Sequence, residues 1–93
     1  MDYLTDMELD DIETRCNAAS DGPWISYIEG RDHLSGSNFI KRGSGTTRSD
    51  DLELTGATVA DQDFIAHARQ DIPKLIAELR HFRTLVQLRS GIK

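Results

Sequence analysis

Arg31, Asp32, His33 and Ser35 fall within five positions, bounded by Gly30 and Gly36, in the stretch Glu29 to Phe39 (EGRDHLSGSNF). An acid, an imidazole and a hydroxyl are the side chains of a nucleophilic hydrolase. Their spacing works against that chemistry. A catalytic serine is held by a rigid turn, and its histidine and acid arrive from distant parts of the chain, so that the acid orients the imidazole and the imidazole takes the proton. Members this close on one turn do not readily reach that geometry, and no catalytic residue is expected. The same residues support two other readings. One is a long hairpin loop, in which the glycines supply unusual backbone angles while Asp32 and Ser35 bond nearby amides. The other is a recognition tip, because loops on a rigid scaffold carry binding residues. On that reading Arg31, Asp32 and His33 contact a protein partner and stay at least partly exposed, since charges are costly to bury unpaired.

Metal and cofactor chemistry finds little purchase. His33, His67 and His81 are the only histidines, and the last two are fourteen residues apart on a helical stretch. There is no HExxH pattern and no Cys/His cluster. The single cysteine, Cys16, allows no internal disulfide and no thiolate cage. No metal and no cofactor is expected.

The elements that position these residues follow from periodicity. Thr5 and Glu8 have capping-box spacing. Leu9, Ile12, Cys16 and Ala19 then recur at helical intervals, with Asp6, Asp10, Glu13 and Asn17 on the other face. This predicts a helix from Asp6 to Ala19, stopped by Gly22 and Pro23. Trp24–Glu29 and Asn38–Arg42 read as strands. Gly43–Ser49 reads as a mobile connection, and Asp51–Thr55, with Leu52 and Leu54 alternating against acids, as a third strand. Thr58 caps a second helical region, whose dipole favours Asp61 and Asp63 at its start. Ile65, Ala68, Ile72, Leu75, Leu79, Phe82 and Val86 follow at steps of three and four, widened by Phe64, Ile76, Leu85 and Leu88. Pro73 predicts either two helices, Val59–Arg69 and Ile72–Arg89, or one kinked helix. The whole is a single α+β domain over residues 1–93: an N-terminal helix, a three-stranded antiparallel meander, and helices covering one sheet face, with 90–93 frayed. Trp24 is expected to anchor the core.

Composition bounds the function. The chain has 93 residues, 38% hydrophobic and 29% charged, which suits one small globular domain. No apolar run reaches the ~20 residues of a membrane helix. The acidic N-terminus lacks the basic and apolar regions of a signal peptide, which predicts a cytoplasmic protein. The net charge of −5 argues against nucleic acid as a partner. That charge is uneven: residues 1–21 carry seven acids and one base, residues 74–93 one acid and five bases. Asp6, Asp10 and Glu13 therefore either meet a basic partner or lie against the basic helix of the same chain. Arg80, Arg83 and Arg89 read as a solvated face. Phe82, Leu85 and Val86 extend beyond what a small sheet covers, which allows a homodimer through the C-terminal helix.

Gly22-Pro23-Trp24, followed by Asp61-x-x-Phe64-Ile65-Ala66 and Ala68-Arg69-x-Asp71-Ile72-Pro73-x-Leu75, resembles the signature of a loose group of small bacterial and phage-encoded accessory proteins. The match covers Gly22–Trp24 and Asp61–Arg83, and the stretch from Glu29 to Ile40 resembles a bacterial subgroup. The resemblance implies the element order above and an accessory role, with no catalytic residue. Accessory proteins of this size and acidity include immunity proteins, which neutralise toxins by direct binding. A basic toxin domain is then the expected partner, met by Asp6, Asp10 and Glu13 and by the loop. The alternative is a phage or prophage accessory protein that inhibits or sequesters a host defence component.

Overall fold

The computed structural model describes residues 3–91. The order is α1 (Asp6–Ala18), β1 (Trp24–Tyr27), β2 (Phe39–Arg42), a 3-10 turn (Gly45–Thr47), β3 (Ser49–Leu52) and α2 (Val59–Gly91). The three strands form an antiparallel meander in the order β1-β2-β3, and α2 packs on it, giving an α+β fold.

Helix α1 starts where its capping box places it. The Thr5 hydroxyl accepts the Glu8 amide at 3.0 Å, and the Glu8 carboxylate accepts the Thr5 amide at 2.9 Å. That backbone bond, aided by the hydroxyl, holds the Glu8 carboxyl below its ordinary pKa. The end differs from expectation. Ala19 leaves the helix in extended conformation and donates its own N–H to the Arg15 and Cys16 carbonyls. Gly22 therefore lies beyond the cap rather than forming it. Leu9, 1% exposed, is the residue of α1 most deeply buried.

The third strand sits earlier than the leucine alternation predicts. Ile40 pairs with Leu52 and Arg42 with Ser49, so β3 carries an extra residue against β2. Leu54 is half-buried, as the alternation implies, but lies past the last pair. The glycine- and serine-rich connection contains a hydrogen-bonded 3-10 turn, Gly45–Thr47. The Thr47 hydroxyl donates to the Ser44 carbonyl at 2.8 Å, and the 3-10 turn feeds directly into β3. Trp24 is half-buried rather than central: its indole N–H donates to the Ser20 carbonyl, and the Arg42 guanidinium lies 5.8 Å from its ring.

Helix α2 is one helix, not two, and runs through Pro73. Thr58 and Asp61 cap it reciprocally, at 3.0 and 3.1 Å. A proline inside a helix costs about 3 kcal/mol. Here the apolar repeat keeps its phase across Pro73, so a break would swing one half away from α1. Contact between α1 and α2, on which Leu9 and Ile76 are each buried, together with the ion pairs described below, offsets the lost bond. Ser90 and Gly91 continue the helix, where a frayed end over 90–93 was expected; Ile92 and Lys93 lie outside the described residues.

The side of α2 that meets the sheet is not its apolar stripe. Gln62, Ala66 and Gln70, spaced by four, face β1. The Gln62 amide donates to the Ser26 hydroxyl and to the Tyr27 and Phe39 carbonyls. Gln70 accepts the Trp24 N–H at 2.7 Å and donates to its carbonyl at 3.1 Å. Gln70 thus closes the outer edge of β1 at Trp24 and Gln62 sits over the β1–β2 pair, while β3 is the free edge, short and carrying Asp50 and Asp51, with Glu53 just beyond it. The buried apolar residues are Leu9, Ile28, Ile40, Ala66 and Ile76. With a radius of gyration of 17.5 Å, against about 12 Å for a compact chain of this length, the molecule is elongated along α2.

A candidate binding loop clamped to the long helix

Ile28–Asn38 joins β1 to β2, so the opening stretch is a hairpin loop. Ile28, 6% exposed, roots it in the core. Its carbonyl accepts the amides of Arg31 and Asp32, and the Asp32 carboxylate accepts the Ile28 amide at 2.8 Å. Gly30 and Gly36 both have positive φ, at 83° and 100°. Glu29 and Asn38 close the rest: the Glu29 amide donates to the Asn38 side chain and the Gly36 amide to the Glu29 carboxylate, both at 2.7 Å.

Arg31 ties this loop to α2. Its Nη1 and Nη2 donate to the two Asp63 oxygens at 2.8 and 3.0 Å, and its Nε donates to Asp32 at 3.0 Å. This fork holds a carboxylate in the geometry arginine matches best. It keeps the Asp63 carboxyl at about 2, against an ordinary 3.8, with the Ser26 hydroxyl adding to the effect. Asp32 is lowered by Arg31 and by the Ile28 amide, and the guanidinium is raised by Asp63 and Asp32. Asp63 is thus a clamp residue and not only a favourable charge at a helix start.

His33 is mostly covered. Its ring lies edge-on to Tyr27 and Phe39, with centroids at 6.2 and 5.1 Å. Nδ1 accepts the Ser35 amide at 3.1 Å and lies 2.5 Å from the Ser35 hydroxyl, with the Glu29 carboxylate 3.7 Å from the same nitrogen. Nε2 is buried without a partner. A hydrolytic triad places the hydroxyl and the acid on opposite ring nitrogens. Here both crowd one nitrogen and the other is enclosed, so the Ser35 hydroxyl, expected on a local amide, braces the ring instead.

Of the loop's large side chains, Leu34 stands furthest into solvent, at 86% exposure. Sequence reading passed over it, because one leucine in a polar run has no periodic partner. That isolation was the available signal.

Asp6, Asp10 and Glu13 lie on the basic helix of their own chain. Arg80 reaches Asp10 at 2.8 Å and Glu13 at 3.0 Å, and Arg83 reaches Asp6 at 2.7 Å. Arg80 and Arg83 therefore face α1 rather than forming a solvated stripe with Arg89. The three acids keep much of their surface in water, and such pairs contribute little each. From Asp63 to Arg80–Arg83 is about 25–30 Å along α2, so the loop residues and the acidic group form two separate patches.

Acid will open the clamp. A carboxyl whose folded pKa lies below its unfolded value stabilises the fold above the unfolded value, and that contribution is lost as pH falls through the folded one. For Asp63 the window runs from about 4 down to about 2. Protection factors of the Arg31, Asp32 and Ile28 amides, taken against intrinsic exchange at each pH, should fall as the pH drops across it, and Asp63→Asn should show the low protection already at neutral pH. Protection unchanged in Asp63→Asn would mean that the clamp does not order the loop.

Among the described residues no helix is long and apolar enough to cross a membrane. Compared with protein-family models, with curated proteins and with solved structures, the chain gives no match.

Proposed function

We propose that this protein works by binding another protein rather than by catalysis, as a cytoplasmic immunity protein that neutralises a bacterial toxin by direct contact. The observation that carries this reading is the ordered loop with Leu34 at 86% exposure. A protruding apolar side chain on a pre-ordered loop enters a partner's pocket without a large ordering cost. Arg31 and Asp32 hold the loop in shape and offer their exposed edges around Leu34. The net charge of −5 and the outer surfaces of Asp6, Asp10 and Glu13 suit a basic partner, whose approach opposite charge accelerates. The resemblance of Gly22–Trp24 and Asp61–Arg83 to small bacterial and phage accessory proteins supports the same class.

The test is co-expression with the toxin encoded beside this gene in its native genome. Protection of the cells and a salt-sensitive association rate are expected. Leu34→Ala should weaken the complex by more than about 1 kcal/mol, roughly fivefold in Kd, with an unchanged melt. A complex indifferent to Leu34 removes the loop from the interface. If no neighbouring toxin is neutralised, and expression instead blocks a host defence system, the protein is a phage accessory inhibitor.

A further inference from the structure

The apolar side of α2 is only half covered. Ile65, Ile72, Leu79 and Val86 are seven residues apart, and Ala68, Leu75 and Phe82 each follow by three. These are the a and d positions of a heptad, continued through about three repeats, the length at which a coiled coil becomes the expected structure. Helix α1 takes one flank and part of the length. Its 13 residues extend about 20 Å, against about 50 Å for the 33 of α2. Leu75 is 63% exposed, Phe82 55% and Val86 61%. Ile65, Ala68 and Ile72 continue the strip into a shallow groove whose other wall is Ile12, Cys16 and Ala19 of α1. A strip of this length is far more than scattered surface hydrophobics.

Charges on its two sides differ. Asp71 is exposed on the outer flank of α2, where Lys74 and Glu78 also line the surface around Leu75, leaving that flank acidic on balance. Arg15 borders the opposite side, on α1, at the level of Ala68 and Ile72. A two-fold axis running along α2 sets Asp71 of one copy against Arg15 of the other. An axis across α2 sets like flanks together. We propose that the strip is the interface of a parallel homodimer, with a second copy of this chain as its occupant. A second copy has the matching heptad period, the same register and the complementary flank. This goes beyond the binding reading above and stands independently of it, since the loop lies at the Asp63 end of α2 and outside the strip. A parallel pair also displays both loops at one end, which makes the assembly bivalent.

Sedimentation equilibrium of the full chain tests this. A dimer mass is expected at about 10 μM and above, and a monomer at about 100 μM overturns the proposal. That outcome includes the case of a strip reserved for some other protein. Leu75→Glu with Phe82→Glu should give a monomer of unchanged helix content. Both sites are exposed, so the core is untouched, and a dimer that persists also overturns the proposal. Should that variant unfold, Leu75→Ser with Phe82→Ser replaces it. For orientation, Asp71→Arg and Arg15→Asp should each raise the dimer Kd about tenfold, and the double exchange should restore it. Failure to restore overturns the parallel arrangement.

Discussion

Gly43→Ala will lower the melting temperature by on the order of ten to twenty degrees. Gly43 is buried between the end of β2 and the 3-10 turn, with φ at +74°. A residue with a Cβ pays about 1–2 kcal/mol for that conformation. Space adds to the cost. A Cβ here would overlap the Thr47 carbonyl oxygen and lie 2.9 Å from its carbon and 3.3 Å from the Arg48 Cα. These are backbone atoms, so no side chain can swing aside. The turn must shift, which strains the Gly43 N–H bond to the Pro23 carbonyl and the Arg42–Ser49 pairing beside it. Overpacking of this kind costs about 1–3 kcal/mol. The sum is about 3 kcal/mol, a large part of the roughly 5–15 kcal/mol of a whole domain. Gly45→Ala is the control. Gly45 also has positive φ, at +55°, but nothing within 4 Å of the added Cβ. It should lose only the conformational part, about 1 kcal/mol. Equal losses at the two sites would show that the turn does not press on Gly43.

Local chemistry made some of this fold legible in advance. Thr5 with Glu8 and Thr58 with Asp61 mark helix starts through reciprocal bonds made within three residues, and both are found. The loop between β1 and β2 was also visible, through its glycines and its short-range acceptors. What sequence did not reveal depends on contacts distant in the chain. Pro73 leaves two helices or one kinked helix open, and the single helix depends on α1, which lies against residues on both sides of it, Ile72 before and Arg80 after. Arg80 and Arg83 look like a solvated stripe until α1 folds back across them. Leu52 and Leu54 alternate as a strand should, yet the extra residue opposite β2 ends the pairing at Leu52. Asp63 looks like a favourable helix-start charge, because its partner Arg31 lies 32 residues away.

The apolar stripe misled for a different reason. Counting hydrophobic residues at helical spacing assigns the widest apolar face to the sheet. That rule treats a sheet as an apolar surface, whereas this narrow sheet also presents polar groups to the helix: the free N–H and C=O of Trp24 at its edge, and the Ser26 hydroxyl with the Tyr27 and Phe39 carbonyls beside it. Against such a surface the useful side chains are long amides with a small residue between them. Gln62-Ala66-Gln70 is that pattern, and it frees the apolar side of α2 for α1 and for solvent. The partner-facing residues inherit this division. Those proposed from charge alone, Arg31, Asp32, Asp6, Asp10 and Glu13, all have partners within the chain, while Leu34, which has no periodic role, reaches furthest from it.

Gln62→Leu should destabilise the protein by about 2 kcal/mol although it exchanges a polar residue for an apolar one of similar size. Gln62 is 3% exposed, and its side-chain nitrogen lies 2.9 Å from the Ser26 hydroxyl, 3.0 Å from the Phe39 carbonyl and 3.2 Å from the Tyr27 carbonyl. One NH2 has two hydrogens, so one of them is shared. Tyr27 and Phe39 face each other as the last pair of the β1–β2 ladder. Leucine would take this donor from the buried Ser26 hydroxyl and from both carbonyls, which keep the amide of the facing strand, and the loss of a buried hydrogen-bond donor costs about 1–3 kcal/mol. The gain from burying its extra carbon is smaller than that. Gln70→Leu removes the same kind of bond from Trp24, but Gln70 is only half-buried, so water replaces part of what is lost and the expected effect is about 1 kcal/mol. Urea unfolding of the two variants measures the ranking, and amide exchange along β1 locates it. A Gln62→Leu protein as stable as the original would mean that α2 is held to the sheet by Ala66 and its apolar neighbours alone. Gln62→Glu separates the donor from the shape. It keeps the length of the side chain but points an acceptor at two carbonyls, so it should be the least stable of the three at neutral pH and recover as the carboxyl is protonated.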